Sequence, residues 1–481
     1  MSSPPASRPW WRSPGPLLAL VLHGVIFLGL FQLHFPDGEW ERLRQRVGPG
    51  GSTGRWFQVL TAEHGVRGVV TWYFDTHNEI RLYHRYAEVT LRGHDPARPP
   101  DAPGQGRLAA YRDVAMEYQP GALLVLLPPA FFARELAGYQ FGFVAWCGVL
   151  YTAALLLGLR LLADGKPVAA AQANRALWCS VAFLLAFGGV AGARFDHAVP
   201  LVCVLGCLIF RRADRTASLA WFAAFGALAA AGVLVKIVPG VLVPAALLWL
   251  GAAHGRAAGR PATVLVGSFV LTLLALNAGA WLHWGEGYLR SFTYHVDRGV
   301  QLESLYAGVI AAAGGFGRSL GVVKEFGAYQ LVTPLTAAIK PLSLGLLVAA
   351  FAAVAGRFWW RRPAAGNAAR EKSLLLLTVL FLLGFMLTNK VFSPQYLLWV
   401  APLLAAAYGA DASLGFGAGL LLVAAGLTQA IFPRFYDQLI ELHPAMVFVL
   451  NLRNATLLVL FGWLLWRLPR LSERETEPKH Q

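Results

Sequence analysis

Long solid apolar runs decide what this chain can fold into. They fall near 16–35, 139–160, 176–194, 197–210, 217–235, 237–252, 262–282, 331–356, 373–388, 396–410, 413–432 and 445–466, with a shorter run at 120–133. Most approach the roughly 20 residues that an α-helix needs to cross a bilayer. In hydrocarbon every backbone N–H and C=O must be paired within the protein, which leaves helices and closed barrels. A barrel would show short segments of alternating polarity instead. Only 14% of the 481 residues are charged, whereas a soluble chain carries about 25%. The expectation is an all-α polytopic integral membrane protein of about 11–13 transmembrane helices. The first run is longer than a signal-peptide core, and Pro36, Asp37 and Gly38 follow it in place of a small-x-small cleavage site. It reads as a retained first helix.

The net charge of +15 is unevenly spread. Residues 36–118 hold eleven Arg against eleven Asp plus Glu, so that stretch is neutral. The excess lies in short polar loops: Arg8 and Arg12; Arg211, Arg212 and Arg215; Arg256 and Arg260; Arg357, Arg361, Arg362, Arg370 and Lys372; and the tail 467–481. The positive-inside rule makes these loops and both termini cytoplasmic. The segments 36–118, Arg194–His197, Lys236–Gly240, 283–330, Asn389–Gln395 and Pro433–His443 then lie together on the outer side. Loop 161–175 is mildly basic and reads as inside. Run 120–133 then cannot cross fully: either it is a re-entrant or shallow helix whose backbone protein shields, or 161–175 is not inside. This charge distribution explains the high pI without nucleic acid. The four cysteines sit inside apolar runs with no metal-ligand spacing, and read as small buried residues.

The first polar loop carries helix signals. Thr76 to Glu79 fits a capping box, and Ile80, Tyr83, Tyr86/Ala87 and Thr90/Leu91 recur at helical spacing. Asp75 then sits just before a helix lying along the membrane surface. A second amphipathic piece runs from Arg55 to Val70, and 94–107 reads as a loose connector.

Polar clusters on the outer side could carry chemistry: Asp75 with Asp113 and Glu117; Arg194 to His197; Tyr294 to Ser304; and Asn389 to Tyr396. A carboxylate can act as general base on a hydroxyl, and nearby cations can stabilise charge on a phosphate leaving group. A lipid-tailed donor would reach such a site from the bilayer. Each cluster also has a plain structural reading. Asp75 favours a helix N-terminus in any case, Asp113 with Arg112 makes a solvated pair, and Lys236 or Lys390 at a span end can snorkel.

Several spaced motifs carry a resemblance. They are the Asp75 helix ending in Arg92-Gly93, Tyr111-Arg112-Asp113 with Glu117-Tyr118-Gln119-Pro120, Leu234 to Pro239, Arg298 to Ser304, and Asn389 to Trp399. In this order the chain resembles the glycosyltransferase 87 family, polyprenol-phosphate-mannose-dependent mannosyltransferases of the GT-C superfamily. Gln119 departs from the family's proline pair, and Arg194-Phe195-Asp196 departs from its usual turn. The resemblance implies a single GT-C bundle over 1–481 whose long first extracytoplasmic loop carries juxtamembrane helices. It implies inverting transfer of a hexose, mannose first, from a polyprenyl-phosphate-linked donor to a lipid or glycan acceptor at the plasma membrane. Asp75 would be the base, and Asp113 or Glu117 would assist or position the acceptor. His295, Arg298, Gln301, Glu303, Lys390, Gln395 and Tyr396 would hold the donor phosphate and sugar. No ligand cluster compels a metal, and members of the superfamily differ in metal use. The alternatives are a transporter or flippase of lipid-linked sugars and an O-antigen ligase or polymerase. The early acid-bearing loop favours the transferase, because ligases and polymerases carry their large outer loop late.

Overall fold

The structure is a computed structural model that describes residues 9–34, 38–48, 53–75, 79–98, 106–317, 319–360 and 367–468. The chain starts with α1 (Pro14–Leu28), then α2 (Glu39–Val47), α3 (Thr53–Phe74), α4 (Glu79–Arg92) and α5 (Leu123–Phe132). Next come α6 (Leu136–Leu162), α7 (Ala170–Phe187), α8 (Gly189–Gly192), α9 (Ala198–Thr216), α10 (Leu219–Val235), α11 (Leu242–His254) and α12 (Gly259–Trp284). The last third holds α13 (Glu286–Asp297), α14 (Leu305–Ala312), α15 (Thr336–Trp360), α16 (Asn367–Thr388), α17 (Ala401–Ala410), α18 (Gly415–Gln429), α19 (Tyr436–Ile440) and α20 (Pro444–Arg467). Among the described residues six helical spans are long and apolar enough to cross a membrane, and Pro120–Phe132, Leu219–Val235 and Lys372–Thr388 are shorter apolar helices. The chain is a helical, multi-pass membrane protein.

Burial separates the spans. The apolar cores of Val238–Trp284 and Thr336–Trp360 are 6% and 11% buried, against 33–56% in the other four long spans. The first two therefore present most of their surface to lipid, with Leu271, Leu274, Leu282, Leu344 and Val348 outward. The inner helices pack through small residues. Gly158 meets the Ala406 methyl, Gly409 meets Ala176, and Gly226 approaches the α12 backbone at Leu265. Such close approach is how helices associate where lipid is as apolar as a side chain.

The two ends of the bundle differ. At one end Arg215 pairs with Asp164, His254 with Asp214 and Lys372 with Asp411, and Arg175 and Arg467 donate to the carbonyls of Gly409 and Ser413. Loop 161–175 is thus tied to the basic end. The other end gathers the segments around residues 117, 194, 236, 298, 324, 390 and 432 at one cavity.

This arrangement explains the path of 120–133. Helix α5 has only ten residues, about 15 Å of rise against a hydrocarbon core of about 30 Å. Both of its ends stay at the cavity end. Gly121 lies against the Leu234–Val235 backbone, while Arg92 donates to Ala130 O at 2.8 Å and His84 Nε2 lies 2.9 Å from Arg134 O. Phe131, Phe132 and Leu124 are exposed, so α5 is a shallow helix and the crossing belongs to α6.

Helix α4 buries Ile80, Tyr83, Tyr86 and Ala87, the stripe that the spacing predicts. The capping box at Thr76–Asn78, with the Glu79 side chain, lies outside the described residues. The connector is less loose than its composition suggests, because buried Asp95 takes both prongs of Arg85 at 2.8 and 2.7 Å. A second difference is a small antiparallel sheet in order β1–β3–β2, formed by β1 (Val300–Gln301), β2 (Gly321–Glu325) and β3 (Ala328–Val332). Its hairpin turns through Phe326 and Gly327, both at positive φ, as a two-residue hairpin loop requires. The strand therefore occupies the start of the expected 331–356 span, and α15 begins at Thr336.

A Cβ on Gly121 would sit 2.4–2.6 Å from the Leu234 and Val235 backbone. Gly121→Val should lower stability by about 1–3 kcal/mol through overpacking. A falling melting midpoint in detergent checks this, and an unchanged midpoint would contradict the close approach.

Candidate functional site

A cavity of about 570 Å³ opens at the end opposite the basic loops, within the usual range for small-molecule sites of about 300–1,000 Å³. Every segment expected on the outer side contributes to its wall. They bring Glu117 to Gln119, Arg194, Lys236 to Val238, Phe292 to Arg298, Lys324 to Tyr329, Asn389 to Tyr396, and Phe432 with Tyr436. The cavity lining also includes Ile237, Phe292 and Val296, which are exposed apolar side chains.

Local sequence sets each wall. Helix α10 stops at Lys236, whose backbone is extended, because Pro239 opens the next helical turn. Asn389 Oδ1 accepts from Val391 N at 2.9 Å and turns the chain after α16. Ser304 caps α14 by accepting from Ala307 N at 3.2 Å, a favoured N-cap role. That cap holds Glu303 one residue outside the helix. Gln301 N donates to Lys390 O at 3.0 Å and joins two of the segments.

The cationic side of the cavity is crowded. Arg298 has no hydrogen-bond or ion-pair partner among the described residues, and its Nε is buried without one. The Lys390 ammonium donates to the carbonyls of Arg298 and, at 3.0 Å, Val296. Partial burial, then Lys340 and Arg298, push Lys390 down to about 8. Desolvation, with Arg298 and Lys236 beside it, brings His295 down to about 4. Burial comes first in both cases, and the neighbouring like charges add to it.

One carboxyl faces these cations. Glu303 is 1% exposed. Its Oε2 accepts from Gln301 Nε2 at 2.9 Å and from Tyr436 OH at 3.3 Å, while Oε1 has no partner. Burial outweighs the Arg453 charge and raises its pKa to about 7. Arg453, fully buried in α20, donates to Glu303 O at 2.6 Å and lies 4.0 Å over the Phe392 ring.

Deeper in the wall, Lys236 Nζ lies 2.6 Å from Asp196 Oδ1, which also accepts from Trp399 Nε1 at 2.6 Å. The rings of Phe195, Tyr396 and Trp399 surround the ammonium at 4.9–5.6 Å, and Tyr396 stacks on Trp399 at 4.0 Å.

Of the residues expected from sequence, Glu117, His295, Arg298, Gln301, Glu303, Lys390, Gln395 and Tyr396 meet in this cavity. Asp75 is buried but is not in its lining. It sits just after α3, where its carbonyl accepts from Arg434 at 3.3 Å and packs on Gly189. Asp113 also lies apart. It accepts from Ala109 N at 2.7 Å and pairs with Arg112 at 3.3 Å, and these contacts hold its carboxyl below the usual range. Sequence reasoning passed over Lys236 and Asp196 as partners, and over Arg453 and Tyr436. Two short turns assigned to one side, one carrying Asp and the other Lys, were the available signal. Among the described residues no group of three or more His, Cys, Asp or Glu is placed to hold a metal. No protein-family model and no curated protein matches the chain.

Two predictions follow from these charges. Lys236→Met strands the buried Asp196 carboxylate, a cost of about 3–5 kcal/mol; adding Asp196→Asn should recover most of it in a melting assay, and equal losses would refute the pairing. A carboxyl with a raised folded pKa binds more protons folded than unfolded, so its contribution falls as pH rises between about 4.5 and about 7. The melting midpoint of Glu303→Gln should therefore gain on wild type across that window; a constant difference would contradict it.

Proposed function

We propose that the protein transfers a hexose, mannose first, from a polyprenyl-phosphate-linked donor to a lipid or glycan hydroxyl. One observation carries this reading: the unpaired Arg298 guanidinium, with Lys390 and Lys236, lines a cavity that also exposes the apolar side chains of Ile237, Phe292 and Val296. A phosphate with a long apolar tail matches both features. The positive-inside rule turns the basic end toward the cytoplasm. The cavity then opens on the extracytoplasmic side of the plasma membrane, in a GT-C-type bundle. The resemblance of the motifs to glycosyltransferase 87 points the same way.

In this reading Arg298 and Lys390 bind the donor phosphate and stabilise the charge it gains as the sugar–phosphate bond breaks, with the neutral His295 imidazole as a hydrogen-bond donor beside them. A carboxylate takes the proton of the acceptor hydroxyl as its oxygen attacks the anomeric carbon, and the sugar is inverted. The resemblance gives this role to Asp75. Arg434 holds the Asp75 carbonyl, and its sequence neighbours Phe432 and Tyr436 stand in the cavity wall. Glu117, beside Tyr294 and His295, is placed to assist or orient the acceptor.

The test uses purified protein, labelled polyprenol-phosphate-mannose and a lipid-glycan extract. Asp75→Asn should cut transfer by about 10²–10⁴-fold with donor binding kept, and Arg298→Ala should weaken donor binding. Wild-type transfer by a folded Asp75→Asn protein would move the base elsewhere. Donor binding with no consumption by wild type, whatever the acceptor, would make the protein a carrier of lipid-linked sugars instead.

A further inference from the structure

The cavity has a second pole that phosphate binding leaves unused. Glu303 is almost fully buried, yet Oε1 has no partner while Oε2 is held by Gln301 and Tyr436. A buried acceptor left unpaired has given up its hydration with nothing in exchange. This one is also rigid. Ser393 Oγ donates to Gln301 Oε1 at 3.3 Å, Arg453 fixes the Glu303 carbonyl, and Ser304 caps the helix that begins beside it.

The surroundings select what can satisfy it. Arg453 and Arg194 already place positive charge near Glu303, so a cationic ligand would meet like charge. An anion would be repelled by the carboxylate and has the Arg298 side to go to. The remaining partner is a neutral donor, and a hydroxyl fits. Tyr396, in the same wall, lies within electrostatic range of both Arg298 and Glu303. A single ligand carrying both a phosphate and a polyol would use both poles.

We infer that Glu303 Oε1 accepts a hydrogen bond from a hydroxyl of the donor's sugar ring and so selects sugar-bearing lipid phosphates over bare ones. The inference rests on the lipid-phosphate reading of this cavity. Glu303 binds and selects here, and the proton taken in the transfer step goes elsewhere.

The experiment measures equilibrium binding to the full chain in nanodiscs with two probes, a short-chain prenyl phosphate and the same prenyl phosphate carrying mannose. Wild type should bind the mannosyl probe more tightly. Glu303→Gln should weaken the mannosyl probe by roughly 10- to 150-fold, the worth of a hydrogen bond to a charged group, and leave the bare probe within about twofold. Glu303→Asp should keep part of the preference. Unchanged preference in Glu303→Gln, or equal loss of both probes, overturns the inference. A series of monodeoxy-mannosyl probes on wild type avoids any folding question. One hydroxyl position should account for the loss, and no sensitive position overturns the inference. Failure of wild type to bind the bare prenyl phosphate overturns the lipid-phosphate reading itself, and with it this assignment. That result differs from every outcome in which the bare probe binds.

Discussion

The buried contact between Lys236 and Asp196 organises the cavity end of this molecule. It joins the turn after α8 to the turn after α10, and the Trp399 indole brings in a third segment by donating to the same carboxylate oxygen. None of these turns is long enough to fold on its own. A buried ion pair rarely adds net stability over apolar packing, but losing one partner is expensive. The pair therefore acts chiefly as a register device. It penalises any arrangement in which these turns fail to meet, and it sets the spacing of α9, α10 and α17 beneath the cavity. The three aromatic rings around the ammonium supply part of what water would have supplied.

Separation of charge is the second constraint. Lys236 is answered by Asp196, whereas Arg298 is not answered by any described residue. Glu303 could have answered it. Instead its carboxyl is occupied on one oxygen by neutral donors, and its carbonyl by Arg453. Collapse into an internal salt bridge would have closed the cavity. Holding Glu303 with Gln301 and Tyr436 keeps the two poles apart, and the cost in unpaired polar atoms is recoverable only by a ligand that bears complementary groups.

The spans were legible because each is an apolar run of near-bilayer length, a signal that depends on local sequence alone. Their division between two ends was legible too, since basic loops alternate with loops that hold acids and tyrosines. Eight of the expected site residues converge because their loops share one end. What stayed hidden depends on contacts distant in sequence. Lys236 alone looks like a snorkelling residue, and only Asp196, forty positions away, gives it another role. Arg453 lies in a run whose apolar neighbours mask it, and its partner is a backbone carbonyl that no pattern announces. The β2–β3 hairpin escaped because β2 is only five residues within the long outer segment 283–330, and the end of β3 merges with the apolar run that starts at 331. Asp75 shows the opposite case. A motif marks it clearly, yet the fold leaves it out of the lining, with its carbonyl held by Arg434, whose sequence neighbours Phe432 and Tyr436 do line the cavity.

The shallow helix α5 links these themes. A full crossing at 120–133 would have left Glu117 to Gln119 where they are and reversed every later loop, taking Tyr294 and His295 to the other side. Because α5 stays at the cavity end, Glu117 remains beside Tyr294 and His295, and the Gly121 turn lies against the backbone just before Lys236. Two prolines, Pro128 and Pro129, limit how far α5 can extend, since each removes an amide donor. The exposed Phe131 and Phe132 then face lipid while Ala130 O and Arg134 O are held by Arg92 and His84 of α4. A ten-residue helix that cannot span the bilayer thus leaves the acid-bearing end of the first loop and the later segments that carry Arg298 and Lys390 on the same side, in one cavity.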